Sequence, residues 1–247
     1  MVKTKNDCVG KIFPTNASGN IIILEYVNYL TVKVKFINSG SECLTTMTQV
    51  LKGTVKDRSI PTVHGHGILG NVYSSKINGR PTHEYTIWYH MLRRCYNETY
   101  HSVNPSYSDC IASQNFLHYT YFYEWCQRQI GFNNDGWELD KDLLIKGNKI
   151  YSEDTCVFLP KEINQALITR YMYTSEYHTG VFITKTGRFQ AQYNVGGVKT
   201  HIGIYDEPLE AFLAYKQAKE QYLQCLAYKY EELLDPRAFN ALLHYQV

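Results

Sequence analysis

The sequence predicts an α+β protein built in three consecutive parts, and three observations predict it. Short β runs punctuated by turns fill the first 62 residues, apolar residues at helical spacing begin near His83, and from Tyr173 three strands joined by two-residue turns lead into a long helix. With 247 residues, 44% of them apolar and 19% charged, the chain can bury a sizeable core. No run approaches the roughly 20 apolar residues of a spanning helix, and Met1 to Asp7 lead into no hydrophobic signal core, so a soluble cytoplasmic protein without a membrane partner is expected. Twenty-five Lys plus Arg against 23 Asp plus Glu give a net charge of +2, which excludes a strongly basic chain of the kind that announces a nucleic-acid binder by charge alone. The seven cysteines are odd in number and form no CxxC pair, so reduced, mostly buried thiols are expected. Twenty-two tyrosines supply amphipathic rings for packing, interfaces or base stacking.

In the first part, Leu30, Val32, Val34 and Phe36 alternate with Thr31, Lys33 and Lys35, the pattern of a strand with one buried and one wet face. Asn38-Ser-Gly40 turns the chain into a further strand over Glu42–Val50. These runs predict a small barrel of about five strands over residues 1–62. Its eight basic and four acidic residues carry most of the chain's excess positive charge.

Pro61, Gly65, Gly67 and Gly70 predict an irregular linker over Ser59–Asn71, in which His64-Gly-His66 reads as a mobile loop rather than a metal site. Ile87, Trp88, Met91 and Leu92 predict a helix over His83–Cys95, closed by Arg93-Arg94, where cations suit the helix dipole. A second helix is expected over Asn115–Ile130, its stripe of Phe116, Tyr119, Tyr123 and Trp125 serving the core. The densest polar motif runs from Leu139 to Phe158. There Leu143-Leu-Ile145 predicts a strand, Gly147-Asn148 a hairpin-like turn and Ser152 the cap of a short helix, and Asp140-Lys-Asp142 on its own reads as a surface ion-pair cluster.

In the last part, strands over Gly180–Lys185, Arg188–Val195 and Val198–Tyr205 are separated by Thr186-Gly187 and Gly196-Gly197. Asp206 is the expected cap and Pro208 the first-turn residue of a helix whose apolar stripe is Leu209, Phe212, Ala214, Tyr215, Ala218 and Tyr222. Phe189, Ala191 and Tyr193 point toward that helix, while Gln190, Gln192 and Asn194, extended by Lys199 and His201, form a polar face with no helix to cover it. Such a face is either solvated surface or a β-ribbon for the DNA major groove, where Gln and Asn pair with adenine and Arg or Lys with guanine.

The segments Gly180–Tyr193 and His201-Ile-Gly-Ile-Tyr-Asp-Glu-Pro-Leu-Glu-Ala-Phe-Leu-Ala-Tyr215 resemble an AP2 domain, a family that reads duplex DNA with a three-stranded sheet. Trp88-Tyr-His-Met-Leu-Arg-Arg-Cys-Tyr96, Leu139-Asp-Lys-Asp142 and Asn148–Phe158 resemble the nuclease portion of bacteriophage HNH and AP2 homing-type endonucleases, and the basic barrel is similar to the leading segment of their long members. The resemblance implies an SH3-like barrel over 1–62, an α-rich degenerate HNH-like (ββα) domain over 63–172, and an AP2-like sheet with packed helices over 173–247. It implies Asp140 and Thr155 as ligands of a divalent metal, Mg²⁺ or Mn²⁺, with Lys141 in the place of the general-base His and Asn148 as the orienting Asn. Duplex DNA is the expected partner, held by Lys33, Lys35, Arg93, Arg94, Arg188, Gln190, Gln192, Asn194, Lys199 and His201. Because Lys141 replaces the base, weak or lost cleavage is expected. The alternative is a catalytically inactive phage protein that reuses the scaffold against a host protein machine.

Overall fold

A computed structural model describes residues 8–168, 177–195 and 198–247. The chain is a mixed α+β protein with several small sheets, divided into two compact units, 1–124 and 125–247. The boundary drawn at Met172 and the Gly196-Gly197 turn lie outside the described residues.

The first unit opens with the strands β1 (Ile12–Pro14), β2 (Asn20–Asn28), β3 (Thr31–Phe36) and β4 (Glu42–Thr45), an antiparallel meander in chain order. Ile21, Ile23, Val32, Val34 and Phe36 bury one face, as the alternation predicts, while Leu30 sits in the preceding turn and is exposed. The sheet does not close into a barrel. Its fourth strand stops at Thr45 because Thr46 and Gln49 form a capping box, the Thr46 hydroxyl accepting from the Gln49 amide at 3.2 Å. Helix α1 (Met47–Leu51) therefore occupies half of the stretch expected to be a strand and drops Met47 and Val50 into the same core.

The segment read as a linker contains a hairpin, β5 (Pro61–Val63) and β6 (Gly67–Ile68), which spans the expected boundary at Thr62. Gly67 lies against helix α2 (His83–Tyr96) so closely that a Cβ there would meet Leu92 Cδ1 at 2.4 Å. Its turn places the His64 ring on Tyr89 at 4.7 Å and the His66 ring on Tyr96 at 3.9 Å, so these histidines pack as part of a turn. A second small hairpin, β7 (Lys76–Ile77) and β8 (Arg80–Pro81), leads to Thr82, which caps α2. After α3 (Glu98–Val103) and β9 (Ile111–Ala112), the predicted second helix begins as a 3₁₀ turn at Asn115–Leu117 and becomes α4 (Tyr119–Gln127) once His118 breaks the helical backbone. Phe116, Tyr119 and Trp125 are buried, as a core stripe should be.

In the second unit β10 (Trp137–Asp140) pairs antiparallel with β12 (Val157–Pro160), and β11 (Ile150–Tyr151) lies in the intervening loop. Leu143-Leu-Ile145 is not a strand. The Asp140 carboxylate accepts the Asp142 and Leu143 amides at 3.0 and 2.8 Å and turns the chain where the strand would continue. Nor does Ser152 begin a helix: its carbonyl accepts the Cys156 amide at 2.9 Å in a single turn, and α5 (Lys161–Leu167) starts only after Pro160.

β13 (Val181–Ile183), β14 (Phe189–Val195) and β15 (Val198–Tyr205) form the three-stranded sheet. Pro208 opens α6 (Pro208–Lys229) as predicted, but the capping position is Glu207, because Asp206 instead accepts from Arg188 Nε at 2.7 Å. Gly180, at φ 78°, admits the Tyr215 ring, which would lie 2.1 Å from any Cβ there. The buried row of α6 is Ala211, Tyr215, Lys219, Leu223 and Leu226, one step out of phase with the predicted stripe. Its first half packs on the sheet through Ala211 and Tyr215. Its second half packs with Val157, Leu159, Ile163 and helix α7 (Pro236–Leu243).

Lys219, 4% exposed, lies in that row with its ammonium 5.7 Å from the Tyr193 ring centroid. Burial pushes its pKa down to about 8 from the usual 10.5. Between those values the unfolded chain binds more protons than the fold, so stability should rise with pH across that window. Replacing Lys219 with Met is expected to abolish this rise and to give a variant more stable than the natural chain near neutrality, as urea midpoints at about pH 7 and about pH 10 will show.

Candidate functional site

Two places gather the chemistry the sequence singled out: the loop between β10 and β12, and the outward face of the β13–β15 sheet.

The loop brings Asp140, Lys141, Asn148 and Thr155 together and satisfies each within itself. Lys141 is buried, and its ammonium donates to Asp142 Oδ1 at 2.6 Å and to the Asn148 carbonyl at 2.7 Å, with the Tyr151 ring centroid 5.6 Å away. Asn148 returns the contact, its Nδ2 donating to the Lys141 carbonyl at 2.8 Å and the Ile150 carbonyl at 2.7 Å. Thr155 donates its hydroxyl to the Ile150 carbonyl at 2.7 Å and accepts from the Ser152 amide at 3.1 Å. Asp140 is 9% exposed, and burial is the main force that raises its carboxyl above the ordinary value, against the two amides that stabilise the anion.

This donor set does not fit a catalytic metal. One Asp140 oxygen already holds two amide protons, and the Thr155 hydroxyl proton is committed to a carbonyl. The positive charge beside Asp140 is supplied by the Lys141 ammonium, which would repel a cation. Among the described residues no group of three His, Cys, Asp or Glu side chains gathers to hold a metal. Nor is Lys141 placed as a base: an ammonium that donates to two acceptors has no free lone pair with which to take a proton from water. What the arrangement does is lock a loop of about 15 residues to a two-stranded ladder.

The sheet face is built by a bulge. Gln190 pairs with Ile204, Gln192 with His201 and Asn194 with Lys199, the register shifting between Ala191 and Gln192 so that Ile202 is the extra residue of β15. Without that bulge, an unbroken alternation through Ile202 would put Lys199 and His201 on the side of Gly203 and Tyr205, which belong to the helix-covered face. With it, Gln190, Gln192, Asn194, Lys199 and His201 share the outward face. Asn194, Lys199 and His201 are exposed, and half-buried Gln190 donates from Nε2 to Gln192 Oε1 at 2.9 Å. Arg188 flanks this face but is held by Asp206.

The remaining candidates stand in the first unit. Lys33 and Lys35 occupy the outward face of β3, where Lys33 pairs with Glu42 at 2.8 Å and lies opposite Glu25 in register, and Lys35 lies opposite Glu42. That carboxylate raises the Lys33 pKa, chiefly through the hydrogen bond. Arg93 and Arg94 close α2 with their guanidinium groups 4.9 Å and 6.0 Å from the ring centroids of Tyr100 and Tyr107. Sequence reasoning missed Lys219, since a lysine at helical spacing reads as surface. It also missed Lys56 and Arg58, whose signal was the alternation of Thr54, Lys56 and Arg58 with Val55 and Asp57.

No family model, curated protein or solved structure matches the chain.

The loop's closure yields a graded prediction. Lys141→Ala should cost about 2–3 kcal/mol, because it strips two charge-assisted hydrogen bonds from a buried site. Asp142→Ala, whose side chain is 54% exposed, should cost under about 1 kcal/mol. Denaturant midpoints of the two variants check the order.

Proposed function

We propose that this protein binds duplex DNA through the outward face of β13–β15, and that the β10–β12 loop is a scaffold in which phosphodiester cleavage is weak or lost. The observation that carries this reading is a three-stranded sheet with α6 on one face and Gln190, Gln192, Asn194, Lys199 and His201 aligned on the other. A β-ribbon of this kind fits the major groove, where Gln and Asn match the donor–acceptor pair of adenine, Lys199 supplies charge for phosphate or guanine, and His201 adds a hydrogen-bonding ring. The bond between Gln190 and Gln192 orients both amides before DNA arrives and can be exchanged for bonds to base edges. The likeness to bacteriophage HNH and AP2 proteins supports the same assignment. One observation favours the second reading, a catalytically silent factor acting on a host protein: Lys33 and Arg188 already hold carboxylates, which reduces the charge available to phosphates.

Duplex affinity should fall linearly in log salt with a slope of about −0.9 per phosphate contact, and Lys199→Ala should make that slope shallower by about one contact. Gln192→Ala should leave the slope unchanged and remove about 1–3 kcal/mol of discrimination between bases. Fluorescence anisotropy on a panel of duplexes at several salt concentrations measures both, and absence of duplex binding at every concentration would overturn the DNA reading. Plasmid incubated with Mg²⁺ or Mn²⁺ should stay intact with the natural chain and with Lys141→His alike. Efficient nicking by either protein that disappears in Asp140→Ala would return the loop to catalysis.

A further inference from the structure

We infer that the open edge of β4 receives an extended, acidic peptide segment from a partner protein, which adds a fifth strand to the N-terminal sheet. The site shares no element with the β13–β15 face and does not depend on the DNA reading.

The backbone phase of β4 is set by the bond from the Phe36 amide to the Ser41 carbonyl at 2.8 Å. Because hydrogen-bonded and non-hydrogen-bonded pairs alternate along an antiparallel ladder, Cys43 opposite Val34 and Thr45 opposite Val32 spend their backbone groups on β3. Glu42 and Leu44 therefore turn their N–H and C=O groups away from the sheet. Among the described residues neither has a backbone partner on that side, and β4 ends the strand order. An unpaired row of this kind is a template for another strand.

Facing it is a groove of about 790 Å³ whose other wall is the extended stretch Thr54–Arg58. Val55 and Asp57 of that stretch are buried. Asp57 accepts from Ser41 at 2.9 Å and from the Ser59 hydroxyl and amide at 2.7 and 2.9 Å, and also from Ser39. Burial alone would raise its carboxyl, but these four hydrogen bonds hold it below the usual carboxylate range, so the wall is pinned as an anion. Alternation then presents Lys56 and Arg58 outward, with no ion pair among the described residues, whereas the opposite wall is neutral through the Lys33–Glu42 pair. A four-residue edge spans about 13 Å, the length of about four extended residues.

The chemistry selects among occupants. A second copy paired edge to edge would confront Lys56 and Arg58 with cations of their own kind. DNA would engage the cations but leave the Glu42 and Leu44 backbone groups unused and the 71% exposed Leu44 against phosphate. An acidic strand satisfies backbone, cations and apolar rim together.

The test uses the full-length ¹⁵N-labelled protein, titrated with a capped hexapeptide alternating Glu and Val and, as control, one alternating Lys and Val. The acidic peptide should saturate with a dissociation constant on the order of 1 mM or tighter, shift the Glu42 and Leu44 amides and slow their hydrogen exchange, and the basic peptide should bind at least about tenfold more weakly. Combined Lys56→Glu and Arg58→Glu should weaken the acidic peptide about tenfold or more. Leu44→Pro should abolish binding while keeping the sheet, since the lost N–H faces away from β3. If that proline variant fails to fold, the charge-reversal variant decides alone. Absence of saturation, saturation without slowed exchange at Glu42 and Leu44, displacement of the peptide by duplex DNA, or peptide-free dimers with those amides protected would each overturn the proposal. The charge-reversal variant retains every residue of the β13–β15 face, so its duplex affinity separates failure here from failure of the DNA reading.

Discussion

The second unit depends on one helix serving two cores. With 22 residues and a rise of about 1.5 Å each, α6 is about 33 Å long, more than a three-stranded sheet can cover. Its first turns bury Ala211 and Tyr215 against Val181 and Ala191, and its last turns bury Leu223, Leu226 and Ala227 against β12, α5 and α7. The sheet and the polar loop are thereby fixed to one rod. Separating the sheet with its helix from the rest would strip the second half of α6 of its apolar cover, so a module boundary that is natural in the residue pattern is not a boundary in the packing.

Lys219 marks the junction of these two cores. It lies between Tyr215 and Leu223 in the buried row, where an apolar side chain would pack more favourably, and its charge finds the face of Tyr193 instead of a carboxylate. The loop at Asp140 follows the opposite rule. There Lys141, buried like Lys219, is met by the Asp142 carboxylate and the Asn148 carbonyl and completes the hydrogen-bond set that holds the loop.

How much of this was legible in the sequence depended on whether the signal was local. Strand alternation in β3 and the helical spacing of Trp88, Met91 and Leu92 were read correctly, because each expresses a backbone period within a few residues, and the turn at Thr186-Gly187 was placed correctly but is a three-residue loop, Lys185-Thr186-Gly187, since Thr184 bonds Arg188 across it. The second half of the expected strand over Glu42–Val50 was misread although Thr46-x-x-Gln49 was available as a helix-start signal; β propensity in the surrounding residues outweighed it. Leu143-Leu-Ile145 was misread for a tertiary reason, since Leu143 and Leu144 are apolar to fill the core shared with α6 and not to extend a ladder, while Ile145 is exposed. At the candidate sites, the face carrying Gln190, Gln192 and Asn194 followed from parity alone. The pairing of Lys33 with Glu42 and of Arg188 with Asp206 did not, because cross-strand and strand-to-loop partners are set by register.

The bulge at Ile202 makes the composition of the sheet's two faces a matter of counting. One residue of β15 has no opposite number, and that odd residue carries Lys199 and His201 to the same side as Gln192 and Asn194. Drawing Ile202 into the ladder as a paired residue would exchange the sides of everything that precedes it on the strand and send a lysine and a histidine beneath the helix, whereas deleting Ile202 would leave their sides unchanged. A deletion within Val198–His201 would shift the phase of what precedes it, whereas point substitutions on the wet side leave the phase alone. The composition of the outward face is thus free to drift residue by residue, while its phase is inherited as a single indivisible trait.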